Sequence, residues 1–90
     1  MSYNQVTVSS ETTLVLAANA NRHSFVIENL GDVDLYLGQD TDLTTATGIA
    51  LITNGSFTDE STGAGKCWPG AVYGTTVSST TLAAYWEEVQ

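Results

Sequence analysis

Val33-Asp34-Leu35-Tyr36-Leu37 alternates apolar with polar side chains. A strand points successive side chains to opposite faces, so this pattern describes a strand with one buried side. Upstream, Arg22–Asn29 places Phe25 and Ile27 on one face with His23, and Ser24, Val26 and Glu28 on the other. Gln5–Ser9 alternates in the same way, and the denser run Thr13–Ala17 reads as a strand covered on both faces. Gly48–Thr53, Ser56–Glu60, Ala71–Val77 and Thr81–Val89 complete the series. In the last of these Leu82, Ala84 and Trp86 share the face expected to be core, and Tyr85 and Glu87 fall opposite. Such segments recur about every 8–12 residues, and no window carries a capped i, i+3, i+4, i+7 stripe. The expectation is an all-β fold, a seven- to eight-stranded antiparallel β-sandwich, jelly-roll-like.

The connections carry turn chemistry. Leu30-Gly31-Asp32 reads as a tight hairpin between the strands at 22–29 and 33–38. Asn54-Gly55 is the dipeptide favoured in two-residue type I′ hairpins, because both positions tolerate positive φ. Ser78-Ser79-Thr80 is a third turn, and Gln39–Thr47 is the longest surface loop, with Leu43 as its anchor. Pro69 has no N–H to donate to a ladder and suits an edge or a loop exit. No repeat or linker divides the 90 residues, so they form a single domain, 1–90, with a short extended N-terminal arm at Met1–Gln5.

At this length folding buries about two-thirds of the chain's surface. The core is therefore thin, although a 42% hydrophobic content is that of an ordinary globular domain. Ten acids face only Arg22 and Lys66, for a formal charge of −8. Phosphate-rich partners draw their affinity from Lys and Arg, so neither nucleic acid nor an anionic membrane is expected as a partner. No apolar run approaches the ~20 residues that span a bilayer, and the first residues lack the basic and apolar regions of a leader. Cys67 stands alone, which excludes an internal disulfide.

Candidate chemistry is sparse. Gly63-Ala64-Gly65-Lys66 lacks the first glycine and the hydroxyl of a phosphate-binding loop, with Glu60 and Cys67 in their places, and reads as a solvated turn. His23 is the one imidazole, placed as a hydrogen-bonded core or rim residue rather than a general base. Cys67 reads as a half-buried small hydrophobe. One His and one Cys cannot make a structural zinc site. Asp32 with Asp34, and Asp40 with Asp42, pair carboxylates near loops, but the twelve-residue calcium loop is missing and solvated turn residues are expected. No catalytic residue, metal or cofactor is therefore assigned, and the chain is not expected to be an enzyme. The interface-type side chains are Tyr3 in the arm, Tyr36 and Trp68, the last beside Pro69 in a stretch without alternation.

Asn21-Arg22, Phe25–Asn29, Leu35-Tyr36-Leu37-Gly38, Gly48–Leu51, Gly70–Gly74 and Ala84-Tyr85-Trp86-Glu87 occur in an order that resembles small virion proteins of tailed bacteriophages, over roughly residues 19 to 88. The chain lacks a Pro after Asn21 and carries Trp68-Pro69 in a loop. The resemblance implies a capsid decoration or cement protein: a homotrimer made in the host cytoplasm, seated on the outer capsid surface of the virion, with the major capsid protein as partner. An alternative is a tail or fibre domain that binds host carbohydrate, with Trp68 and Tyr36 stacking on sugar and Asp40 or Asp42 accepting its hydroxyls.

Overall fold

Eight strands build the fold: β1 (Ser2–Val8), β2 (Thr13–Leu16), β3 (Arg22–Asn29), β4 (Leu35–Gly38), β5 (Ile49–Leu51), β6 (Ser56–Glu60), β7 (Val72–Thr75) and β8 (Thr81–Val89). They are seen in a computed structural model that describes residues 2–60 and 67–89, among which there is no helix. Two four-stranded antiparallel sheets, ordered β1-β8-β3-β6 and β2-β7-β4-β5, pack face to face. Successive strands change sheet at every step except β4 to β5, which gives the interleaved order of a jelly roll. The expected sandwich is therefore the observed one.

Three expected turns differ. The strongest hairpin candidate, Leu30-Gly31-Asp32, joins β3 to β4 across the two sheets. The reason is that β3 is flanked by β8 and β6, so no edge remains for β4. The Ser78–Thr80 turn likewise arches from β7 to β8, because β8 is already enclosed by β1 and β3. Asn54-Gly55 also crosses between sheets. Its turn closes with the Gly55 N–H on the Ile52 carbonyl (2.8 Å), which puts Thr53 and Asn54 in the centre. Asn54 adopts a φ of 65° in the third position, as in a type II turn rather than type I′. The arm is different too: from Ser2 onward it is strand, paired in register with β8 from Ser2↔Glu87 to Val8↔Thr81.

The core gathers Val8, Val15, Leu16, Phe25, Ile27, Leu35, Leu37, Leu51, Cys67, Val72 and Ala83, with Val6, Phe57, Trp68 and Tyr85 packed against it. Directly opposed residues in an antiparallel pair share a face. Phe25 opposes Glu87, Ile27 opposes Tyr85, and Asn29 opposes Ala83, so the odd-numbered residues of β8 point inward. The expectation that Leu82, Ala84 and Trp86 line the core is thus reversed. Trp86 is 41% exposed and Ala83 is fully buried. A one-residue change of register exchanges the two faces of a strand, and here the inward set of β3 selects Ala83 over Leu82 and Trp86.

Where the arches meet, Asn29 is completely buried and forms a polar hub. Its side-chain amide donates to the carbonyls of Val33 and Leu51 (both 2.8 Å), and its Oδ1 accepts from the Gly31 N–H (3.1 Å) and the Thr81 hydroxyl (2.6 Å). Its backbone N–H donates to Gly55 (2.9 Å) and its carbonyl accepts from Asn54 (2.7 Å). One side chain thereby ties the β3–β4 arch to β5 and to the start of β8, and satisfies backbone groups that the sheet ladders leave open.

Candidate interaction surfaces

At the opposite end from Asn29, β3 begins with an irregularity: Arg22 opposes Val89 and Ser24 opposes Glu88, leaving His23 as the extra residue of a bulge. The bulge resets the alternation. Arg22 rather than His23 becomes the buried residue, and His23 is half-buried. The Arg22 Nε donates to Glu87 Oε2 at 2.7 Å, one terminal nitrogen donates to the Trp68 and Gly70 carbonyls (2.7 and 3.0 Å), and the other to Ala17. Its guanidinium carbon lies 5.2 Å from the Phe25 ring centroid. Arg22 thus clamps the β2–β3 loop and the segment before β7 onto the sheet, and its charge is neutralised internally. Because the other cation, Lys66, lies outside the described residues, no exposed Lys or Arg is found among them.

Cys67 is 2% exposed and joins the core, more deeply than the half-buried position expected. Burial pushes its thiol up from the ordinary range, the Asp59 carboxylate adds to the effect, Arg22 opposes it and Glu87 reinforces it. The thiol is protonated at neutral pH and is not a nucleophile. The glycine-rich segment Gly63–Lys66 lies outside the described residues. Asp32 and Asp34 are exposed, and Asp40 accepts the Asp42 N–H (2.9 Å) in a local turn. Among the described residues no group of three or more His, Cys, Asp or Glu is placed to hold a metal ion.

The three interface candidates lie in three separate segments of the fold. Tyr3 sits in β1, in register with Trp86. Tyr36 lies on the outer side of the β2-β7-β4-β5 sheet, since its neighbours Leu35 and Leu37 are the buried residues of β4. Trp68 is half-buried, packs against the core and is held by its indole N–H on the Ala71 carbonyl (3.1 Å) and by its backbone N–H on Asp59 Oδ2 (3.0 Å). Trp68 and Tyr36 therefore do not form one platform, whereas Trp68, Asp40 and Asp42 line a common cleft.

That cleft, of about 460 Å³, opens where β5 and β6 leave the two sheets apart. Phe25, Leu37, Phe57 and Val72 form its apolar floor, and Asp40, Asp42 and Asp59 also line it. Ile49 opposes Leu37 and so shares its inward face, yet Ile49 is 53% exposed while Leu37 is buried.

A second surface covers the outer side of the β1-β8-β3-β6 sheet. Register aligns Tyr3, Trp86, Val26 and Thr58 in one cross-strand row, and Gln5, Ala84, Glu28 and Ser56 in the next. Asn4, Gln5, Val26, Glu28, Ala84, Tyr85 and Trp86 line a shallow groove there, with Trp86 as its large exposed apolar side chain. Sequence reasoning missed this surface because it assigned Trp86 to the core. The signal available was indirect: Asn29, Glu87 and the small Ala83 make sense on one face only once β3 and β8 are paired. Comparisons with protein-family models, curated proteins and solved structures returned no match.

Proposed function

We propose that this chain is a capsid decoration protein of a tailed bacteriophage, attached to the outer head surface through the outer face of the β1-β8-β3-β6 sheet. The observation that carries the reading is the row holding Trp86 and Val26, an apolar strip on a sheet face edged by Glu28, Glu60 and Glu88. Trp is among the residues most enriched at interface centres, and the surrounding acids favour a basic partner surface.

A sheet face about 30 Å long and about 14 Å wide, from strand rise and spacing, offers roughly 400 Å². A standard interface takes about 800 Å² from each partner, so one copy holds weakly and several linked copies hold well. Closed trimeric symmetry supplies that multiplicity at equivalent positions on a head.

The test adds recombinant protein to undecorated heads and follows their rupture temperature. Saturation should raise it, and Trp86→Lys should abolish both binding and protection while the variant's own unfolding stays near wild type. Unchanged rupture at saturation, or full protection by Trp86→Lys, would refute the assignment.

A further inference from the structure

We propose that the open β5–β6 side of the sandwich is a binding cleft for an extended peptide segment that carries an apolar side chain two residues from Lys or Arg, so that both face the cleft. This inference stands on a different surface from the sheet face described above and does not depend on it. Three observations support it.

The cleft is an interruption of the core. Phe25, Leu37 and Val72 are buried core residues, yet they line an opening of about 460 Å³ together with the half-exposed Phe57 and Trp68 and the exposed Ile49. Ile49 is on the inward face of β5 but meets solvent over half its surface. An aliphatic or aromatic side chain fits such a floor. A sugar ring suits that floor less well, because Phe25, Leu37, Phe57 and Val72 offer its innermost hydroxyls no partner.

Among the described residues the charge around it has one sign. Asp40, Asp42 and Asp59 line the cleft, and Arg22 is neutralised in the interior by Glu87. The Asp59 carboxylate accepts the Trp68 backbone N–H through Oδ2, which holds it at the cleft. A cationic side chain at the mouth is favoured by the carboxylates, and an anionic one is opposed.

The cleft also has strand edges. β5 pairs with β4 alone and β6 with β3 alone among the described residues, so each presents one unpaired backbone edge at the opening. An extended segment can add to such an edge and send alternate side chains inward, which combines backbone hydrogen bonds with the apolar floor.

The experiment titrates the whole ¹⁵N-labelled chain with three capped hexapeptides: Lys-Thr-Leu-Thr-Lys-Thr, its counterpart with Glu for both Lys, and its counterpart with Ser for Leu. Only the first should shift the Trp68 indole and the Ile49 and Phe57 amides, saturating at millimolar concentration. In the double variant Asp40→Asn, Asp42→Asn its Kd should rise about fivefold, the scale expected for two exposed charge contacts. Asn keeps the local turn, so an unchanged remainder of the spectrum shows that the fold survives. Trp86→Lys should bind the peptide as wild type does. Equal shifts with all three peptides, an unaltered Kd in the double variant, or shifts that map to the outer sheet face would overturn the proposal. So would the same shifts produced by maltotriose instead, or by raising the protein concentration alone, which would assign the cleft to a sugar or to a second copy.

Discussion

Replacing Asn29 by Ala should remove more stability than replacing any other buried uncharged polar residue among those described. The substitution deletes two donated and two accepted hydrogen bonds at a site with no solvent exposure. The carbonyls of Val33 and Leu51, the Gly31 N–H and the Thr81 hydroxyl all lose a partner together. Each buried group left unsatisfied costs about 1–3 kcal/mol, and a water entering the vacated volume recovers part of this, so the net loss is about 4 kcal/mol. A chain of this size holds roughly 5–13 kcal/mol in total, and the midpoint of thermal unfolding should fall by about 20 °C. Thr81→Val isolates one bond of the four and should cost about 1 kcal/mol. Asn29→Asp is the sharper test. A carboxylate still accepts from Gly31 and Thr81 but faces the Val33 and Leu51 carbonyls with no proton to donate. Its folded pKa must then lie above the unfolded value of about 3.9, so the variant should be least stable near pH 7 and regain stability as pH falls and the acid protonates. Urea unfolding followed by Trp fluorescence measures all three variants. A loss below about 1 kcal/mol for Asn29→Ala, or an Asn29→Asp variant whose deficit does not shrink on acidification, would refute the hub argument.

Other substitutions test the clamp and the assignment of the tryptophans. Arg22→Met should cost about 3–5 kcal/mol, because it removes the charged donor that Glu87 accepts from in the interior, and the double variant Arg22→Met, Glu87→Met should recover most of it in equilibrium unfolding. Trp86→Ala should change stability by less than about 1 kcal/mol, whereas Trp68→Ala should cost about 3 kcal/mol, since only the latter packs on the core. Reversed magnitudes would contradict the inward set of β8. The Cys67 thiol should react with a disulfide reagent only as fast as the protein opens. Its folded pKa is raised, so the protonated form contributes stability that is present below the unfolded thiol's pKa, about 8.5, and is lost as pH climbs through the folded value. Wild type should therefore lose stability relative to Cys67→Ala on going from neutral to alkaline pH, and parallel curves would show the thiol to be unperturbed.

Much of the secondary structure was legible because period-two alternation is local. β3 occupies the span that its Phe25, Ile27 and polar neighbours outline, and the turn residues at 30–32, 54–55 and 78–80 do mark chain reversals. The partner across each reversal was not legible. A strand has two edges, its side-chain pattern names neither, and a tight-turn dipeptide serves an arch between sheets as readily as a hairpin within one. The site residues suffered from the same gap. Trp86 and Ala83 differ by one position in parity, and only pairing with the Phe25 face of β3 decides which of them is buried. The buried Arg22 is likewise a product of the bulge at His23, where one extra residue turned a charged side chain inward to meet Glu87 across 65 residues of chain. Composition and alternation by themselves thus determined an acidic sandwich of seven or eight strands. Its exposed tryptophan, its internal ion pair and its open cleft arose only when register and sheet order brought distant residues face to face.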